Sequence, residues 1–266
     1  MQDNSLILRD KTLYLLDMDG TIYLENVLID GAGEFIASLI KNDRDYIFMT
    51  NNSSKSAEDY LKKLHSLNIP AEADNIFTSG QAACIYLEGL KKGAKIYTVG
   101  TQSLKDELCA HGFDVLEKPQ KDTDFLLVGY DTELNYKKII DACELLADGV
   151  PFYATNPDIV CPAKKGRYLP DCATICYMLE KATGKTPFYI GKPRKEMAIL
   201  AASFKKAKLQ DTVLIGDRLY TDIKCGLNAG IFSVLVLSGE STREDIEKFE
   251  IYPNLVVESV KELIVN

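Results

Sequence analysis

The sequence predicts an α/β protein, a doubly wound parallel sheet whose chain is interrupted by an inserted α/β unit. Apolar runs of strand length alternate with segments whose apolar residues recur at helical spacing. Several of those runs end abruptly on polar residues, as strands do at a ligand-facing sheet edge. The pattern also restarts after Gly93 and resumes beyond Gly184-Lys185-Thr186-Pro187, which reads as an exit linker. The 266 residues, 46% of them apolar, suffice for one large or two modest packed domains. The expected division is a core domain of 1–80 plus 187–266 and an inserted domain of 81–186.

Composition narrows the function classes. A formal charge of −8 opposes binding to a nucleic-acid backbone, while leaving room for a local cationic pocket. The first ten residues lack a cationic segment followed by a long apolar stretch, and no apolar run approaches membrane-spanning length. The expectation is a soluble cytoplasmic protein with neither nucleic-acid nor membrane partners. Seven cysteines, odd in number, scattered and without a Cys-x-x-Cys, indicate neither a disulfide frame nor a zinc site.

The first strand is the apolar run Leu13-Tyr14-Leu15-Leu16, and it ends on Asp17-Met18-Asp19-Gly20-Thr21. Side chains alternate along a strand, so Asp17 and Asp19 can point to one side, and Gly20 lets the chain turn off the sheet. Two carboxylates that close raise each other's pKa unless a cation lies between them, which suggests a shared proton or a hard metal such as Mg²⁺. The same residue types also suit an ordinary acidic turn.

Short β-like runs over 22–29 predict a small flap, and apolar spacing predicts a helix over 33–41. Gly31-Ala32-Gly33 begins like a dinucleotide fingerprint, but Ile36 stands at the third glycine position. The next run, Tyr46 to Met49, ends at Thr50-Asn51-Asn52-Ser53-Ser54 and leads into an amphipathic helix carrying Tyr60, Leu61, Leu64 and Leu67. Ser53, Ser54 and Ser56 read as helix-capping residues. Thr50 and Asn51 sit at the strand tip, where a hydroxyl and backbone N–H groups can hold an oxyanion.

After a helix over 79–92, strands are expected over 95–99, 113–116, 124–128 and 150–154, alternating with helices near 103–110, 136–147 and 173–183. Gly184-Lys185-Thr186 is no phosphate loop, because Leu179 replaces its first glycine. A strand over 188–191 then resumes the core, with Lys192 and Pro193 at its tip and a helix through Met197, Leu200, Ala201 and Phe204. One more buried strand over 211–216 ends in Asp217-Arg218-Leu219-Tyr220-Thr221-Asp222. A strand over 232–237, a short run over 255–257 and a terminal amphipathic helix close the chain. His65 and His111 fall in or beside surface helices and carry no chemistry in this reading.

The carboxyl ends of parallel strands share one edge, so the sheet gathers Asp17, Asp19, Thr50, Asn51, Lys192, Asp217 and Asp222. Acids that need cations, one lysine and a polar strand tip form a phosphoryl-transfer set. Phosphate-monoester hydrolysis demands accelerations of up to ~10²¹, so charge must be neutralised from several directions at once.

With Asp17-x-Asp19-Gly20-Thr21, Thr50-Asn51-Asn52, Gly191-Lys192-Pro193 and Gly216-Asp217-x-x-x-Thr221-Asp222 in this order, the chain resembles haloacid dehalogenase (HAD) superfamily phosphatases. The resemblance is to the NagD and p-nitrophenyl phosphatase subgroup and covers essentially the whole chain. It implies a Rossmann-like core with an inserted α/β cap, and a Mg²⁺-dependent phosphatase acting on a small phosphorylated metabolite, compatible with a homodimer. By that resemblance Asp17 attacks phosphorus and Asp19 is the general acid and base. Thr50, Asn51, Asn52 and Lys192 hold phosphoryl oxygens. Asp17, the Asp19 carbonyl and Asp217 bind the metal, with Asp222 a ligand or a partner of Lys192.

Cap residues expected to select the leaving alcohol are Tyr130, Asp131, Asn156, Asp158 and the stretch Leu169-Pro170-Asp171-Cys172-Ala173-Thr174. Asp171 departs from the glycine-containing sequence common in the subgroup, and it is expected to favour hydroxyl or amine substituents over carboxylates if it faces the leaving group. The alternatives are a phosphotransferase or mutase on the same fold, a receiver-like phospho-aspartate signalling module, and a catalytically silent binding protein.

Overall fold

The computed structural model describes residues 8–163 and 167–265. The N-terminal reading of residues 1–7 therefore lies outside the described residues. The chain divides into two compact units. One comprises the chain up to Thr50, Ala57–Phe77 and the chain from Lys192, and the other comprises Asn51–Ser56 and Thr78–Gly191.

The first unit is built on a six-stranded sheet in the order Leu255–Val257, Phe232–Val236, Thr212–Gly216, Leu13–Leu16, Asp45–Thr50, Ile76–Thr78. Leu13–Leu16 lies between two parallel neighbours, with Leu16 opposite both Ile215 and Phe48. Chain order runs from this strand first to one side and later to the other, which makes its carboxyl end the switch point where α/β sheets bind ligands. All four of its residues are buried, as a strand covered on both faces requires.

Helix Ala32–Lys41 buries Phe35, Ile36 and Leu39, and Phe35 meets Tyr14 edge-on with ring centroids 6.1 Å apart. Fully burying such a side chain is worth about 1.5–3 kcal/mol, so the central strand and this helix anchor the unit. The flap is a hairpin of Tyr23–Leu24 and Val27–Leu28. The C-terminal segment is the short 3₁₀ turn Val260–Leu263 in place of the expected amphipathic helix.

The second unit has its own five-stranded sheet, in the order Phe188–Tyr189, Phe152–Ala154, Phe125–Val128, Lys95–Val99, Asp114–Leu116. Helices Tyr136–Ala147 and Cys172–Thr183 pack Leu145, Leu146, Ile175, Cys176 and Leu179 against Val99, Leu126 and Val128. Side chains of Thr78, Thr101, Asn135 and Asp171 accept N–H groups at the starts of four helices.

Structure and expectation differ at further points. Phe188–Tyr189 pairs with Tyr153 and Ala154, so it ends the second sheet and is no strand of the first. Its ring stack on Tyr86, with centroids 5.3 Å apart, fixes it there. The two compact units divide after Phe77 and Gly191, beside the expected 80 and 186, and Asn51–Ser56, whose Ser53 Oγ bonds Thr155 Oγ1 and accepts the Tyr130 N–H, groups with the second unit. An antiparallel hairpin, Val160–Ala163 with Arg167–Pro170, was not expected. Among the described residues no cysteine forms a disulfide. Among the described residues no helix is long and apolar enough to cross a membrane.

Candidate active site

The site grows out of the carboxyl end of the first unit's sheet. Asp17 continues the central strand, its N–H donating to the Ile215 carbonyl at 2.9 Å. The chain then folds back at once. Gly20 has φ of +90° and donates its N–H to the Tyr23 carbonyl at 2.8 Å. A side chain there would be doubly unfavourable, because a Cβ would overlap the Asp217 carboxylate.

On one flank, Asp45–Thr50 places Thr50 two residues beyond the Leu16–Phe48 pair, on the same edge as Asp17. On the other, Thr212–Gly216 delivers Asp217, and a π-helical turn over Leu219–Ile223 carries Asp222. Asp222 folds back so that its carboxylate accepts the Arg218 N–H at 3.2 Å. Lys192 is the first residue of the chain's return to this unit.

The Lys192 ammonium, almost wholly buried, stands 2.6 Å from Asp17 Oδ1 and 2.6 Å from Asp222 Oδ1, and donates to the Met49 carbonyl at 3.1 Å. Carboxylate oxygens of Asp17, Asp217 and Asp222 lie within 4.8 Å of one another. Glu240 donates its N–H to Asp217 Oδ2 at 2.7 Å, whereas the buried Asp217 Oδ1 has no hydrogen-bond partner among the described residues. Arg218 adds a second cation, held to Glu240 through Nε at 2.9 Å.

Three carboxylates thus face one ammonium and one tethered guanidinium. Burial, and then the Asp222 charge, push the Asp17 carboxyl up to about 7 against the pull of Lys192. Burial, followed by Asp17 and Asp222, pushes Asp217 up to about 8. Burial alone would lower Lys192, but Asp17 and Asp222 hold its ammonium above the ordinary lysine range. Partial desolvation raises the Asp19 carboxyl, opposed by Lys63 and Arg218, although its side chain reaches solvent. The excess of negative charge and the orphaned Asp217 oxygen fit a hard divalent cation with oxygen ligands.

Among the sequence-expected residues, Asp17, Lys192, Asp217 and Asp222 are brought into direct contact or close proximity, with Thr50 on the same edge. Asn51 and Asn52 lie in the second unit. There the Asn51 carbonyl accepts from Ser79 Oγ at 2.5 Å and Asn156 Nδ2 at 2.7 Å, and Asn52 Oδ1 accepts the Ser54 N–H at 2.9 Å.

Most expected leaving-group contacts have internal duties instead. Asp131 is paired with Lys138 at 2.8 Å, and Asp171 caps helix Cys172–Thr183 from a buried position. Tyr130 is buried with its N–H on Ser53 Oγ, and Asn156 is wholly buried. The condition on which Asp171 would select leaving groups, that it face the leaving group, competes with this capping bond to the Cys172 N–H. His65 bonds the Ala71 carbonyl, a structural contact.

Sequence reasoning passed over Arg218 and Glu240. Arg218 carried a signal, since it directly follows Asp217, and Glu240 sits in the loop after strand Phe232–Val236, another strand tip.

A family model for haloacid dehalogenase-like hydrolases matches residues 14–114, and a HAD-hydrolase-like model matches 189–263. The acid sugar phosphatase of Staphylococcus saprophyticus is 33% identical over 251 residues, covering 94% of this chain and 96% of that protein. The crystal structure of a 4-nitrophenylphosphatase from Thermotoga maritima superposes with a TM-score of 0.91 at 37% identity, over 98% of this chain and 99% of that one. NagD from E. coli superposes with a TM-score of 0.88 at 31% identity, over 96% and 99% of the two chains. Matched over nearly its whole length, the chain belongs to the haloacid dehalogenase-like hydrolases, in the group of NagD and the p-nitrophenyl phosphatases, and is a phosphoric monoester hydrolase.

Proposed function

We propose that the protein hydrolyses small-molecule phosphomonoesters with Mg²⁺ as cofactor and a phosphorylated Asp17 as intermediate. The observation that carries this reading is the contact of Lys192 with both Asp17 and Asp222 at 2.6 Å, beside the three-carboxylate cluster. Asp17, Asp217 and the Asp19 carbonyl would hold the ion, with Asp222 either a ligand or the partner that orients Lys192. When bound, it offsets the repulsion between carboxylate and phosphate and polarises a phosphoryl oxygen.

Lys192 pulls Asp17 toward its anionic form and orients the free oxygen toward phosphorus. Attack by that oxygen forms the Asp17–phosphorus bond as the ester P–O bond breaks, and Asp19 gives its proton to the departing alkoxide. A raised carboxyl suits Asp19 to carrying that proton. Asp19, now ionised, takes a proton from water as the water oxygen attacks phosphorus, and the Asp17–phosphorus bond breaks to release phosphate. Thr50, Asn51, Asn52 and Lys192 stabilise the three non-bridging oxygens throughout. The segments 51–56 and 78–191 act as the cap domain that selects the leaving alcohol.

Phosphate release from a broad panel of phosphomonoesters, beginning with sugar phosphates, tests this with and without Mg²⁺. Release that needs Mg²⁺ and is lost in Asp17→Asn supports the reading; no release from any ester, or release unaffected by Asp17→Asn, overturns it. Added acceptor alcohols reveal a phosphotransferase if phosphorylated alcohol accumulates in place of free phosphate.

A further inference from the structure

The chain passes between its two units four times, after Thr50, Ser56, Phe77 and Gly191. On the second unit's side, three of those crossings meet around the Asn51 carbonyl and the Thr155–Asn156 segment. Asn156 is wholly buried, and its Nδ2 donates to the Asn51 carbonyl at 2.7 Å. Ser79, just past the Phe77 crossing, donates its hydroxyl to that same carbonyl at 2.5 Å. Gly191 donates its N–H to the carbonyl of Thr155, the neighbour of Asn156, at 2.8 Å. A Cβ on Gly191 would lie 2.6 Å from the Thr155 carbonyl oxygen, 2.7 Å from Asn51 Oδ1 and 3.2 Å from Asn156 Cβ, so the three segments close together without room for a side chain. The Asn156 Oδ1 accepts the Asp158 N–H at 3.0 Å, which holds the amide in the orientation that donates to Asn51.

A carbonyl with two side-chain donors cannot rotate freely, and a trans peptide is rigid, so fixing the Asn51 carbonyl also fixes the Asn52 N–H on the opposite side of that peptide. Asn51 is joined directly to Thr50, and both are assigned to phosphoryl-oxygen binding above. We propose that Asn156 is a positioning residue for substrate phosphate: with Ser79 it clamps the Asn51–Asn52 peptide and so presets the loop that receives the phosphoryl oxygens. This deepens the proposed function and rests on it. The buried amide is engaged at both ends, and one end lies on the proposed phosphate loop itself.

The test measures kcat, KM and the inhibition constant for inorganic phosphate in wild type, Asn156→Ala, Asn156→Asp and Ser79→Ala, with thermal melting of each. Asn156→Asp keeps the shape and the acceptor but loses the donor, so it separates the hydrogen bond from the cavity left by alanine. The clamp predicts that KM and the phosphate inhibition constant rise together about 10- to 100-fold in both Asn156 variants, with kcat falling less. Ser79→Ala, a smaller lesion, gives about 3- to 10-fold even if an Asn156 variant fails to fold. A merely structural role lowers the melting temperature and leaves the phosphate inhibition constant of the folded fraction unchanged, and that result overturns the proposal. If the wild type itself releases no phosphate, the proposed function and the clamp fall together; if it does and the variants bind phosphate normally, only the clamp falls.

Discussion

Lys192 Nζ lies 2.6 Å from Asp17 Oδ1, an almost wholly buried ammonium against the carboxylate that ends the central strand. The same nitrogen is 2.6 Å from Asp222. One lysine therefore serves two acids that would otherwise repel each other.

Removing that ammonium leaves two close carboxylates uncompensated. Lys192→Met is expected to lose phosphatase activity by about 10²-fold or more and to cost about 3–5 kcal/mol of stability in the metal-free protein. Steady-state kinetics and urea unfolding measure the two effects. Lys192→Arg should rescue little activity, because a planar guanidinium cannot replace a point charge shared by Asp17, Asp222 and the Met49 carbonyl.

The raised carboxyls make stability depend on both pH and cation. Folding raises Asp17 to about 7 and Asp217 to about 8 from an ordinary 3.8, so the folded state holds their protons more tightly than the unfolded chain does. Their contribution to stability is complete below the unfolded value and is lost as pH rises through the folded ones. A divalent cation binds the ionised carboxylates, so its stabilisation grows over that same window. Thermal melting should show a Mg²⁺-induced rise that is small near pH ~5 and greatest above pH ~8. A shift that is constant across this range, or that shrinks with pH, contradicts the assignment.

Arg218 places a positive charge beside the acid cluster, restrained by Glu240 at 2.9 Å. Arg218→Gln should tighten Mg²⁺ binding about 3- to 30-fold at low ionic strength, with the gain shrinking as salt is added. Glu240→Gln releases the guanidinium toward the carboxylates and should weaken Mg²⁺ binding. Calorimetric titration with Mg²⁺ reads both directions without any substrate.

The core of the site was legible because its strands are long, fully buried and end abruptly. The runs ending at Leu16 and Gly216 announce where Asp17 and Asp217 emerge, and sheet topology then brings them together. What escaped was decided by partners distant in sequence. A two-residue strand such as Phe188–Tyr189 carries no period, and only its pairing with Tyr153 and Ala154 assigns it to the second sheet. Hairpin residues Arg167–Pro170 are all exposed, so no apolar alternation marks them. Asp131 and Asp171 look like binding residues in a sequence, but Lys138 and a helix N-terminus occupy them. Asn156 likewise reads as a leaving-group contact until its amide is seen to donate to the Asn51 carbonyl, 105 positions away.

In the proposed reaction Asp17 captures phosphorus. Acid quenching during turnover of a reactive phosphomonoester with Mg²⁺, followed by peptide mass mapping, tests it most directly. One phosphoryl group is expected on the peptide containing Asp17, absent from Asp17→Asn and from protein quenched without substrate. Rapid turnover with no phosphorylated Asp17 peptide at any quench time, or with the label on another residue, would contradict it.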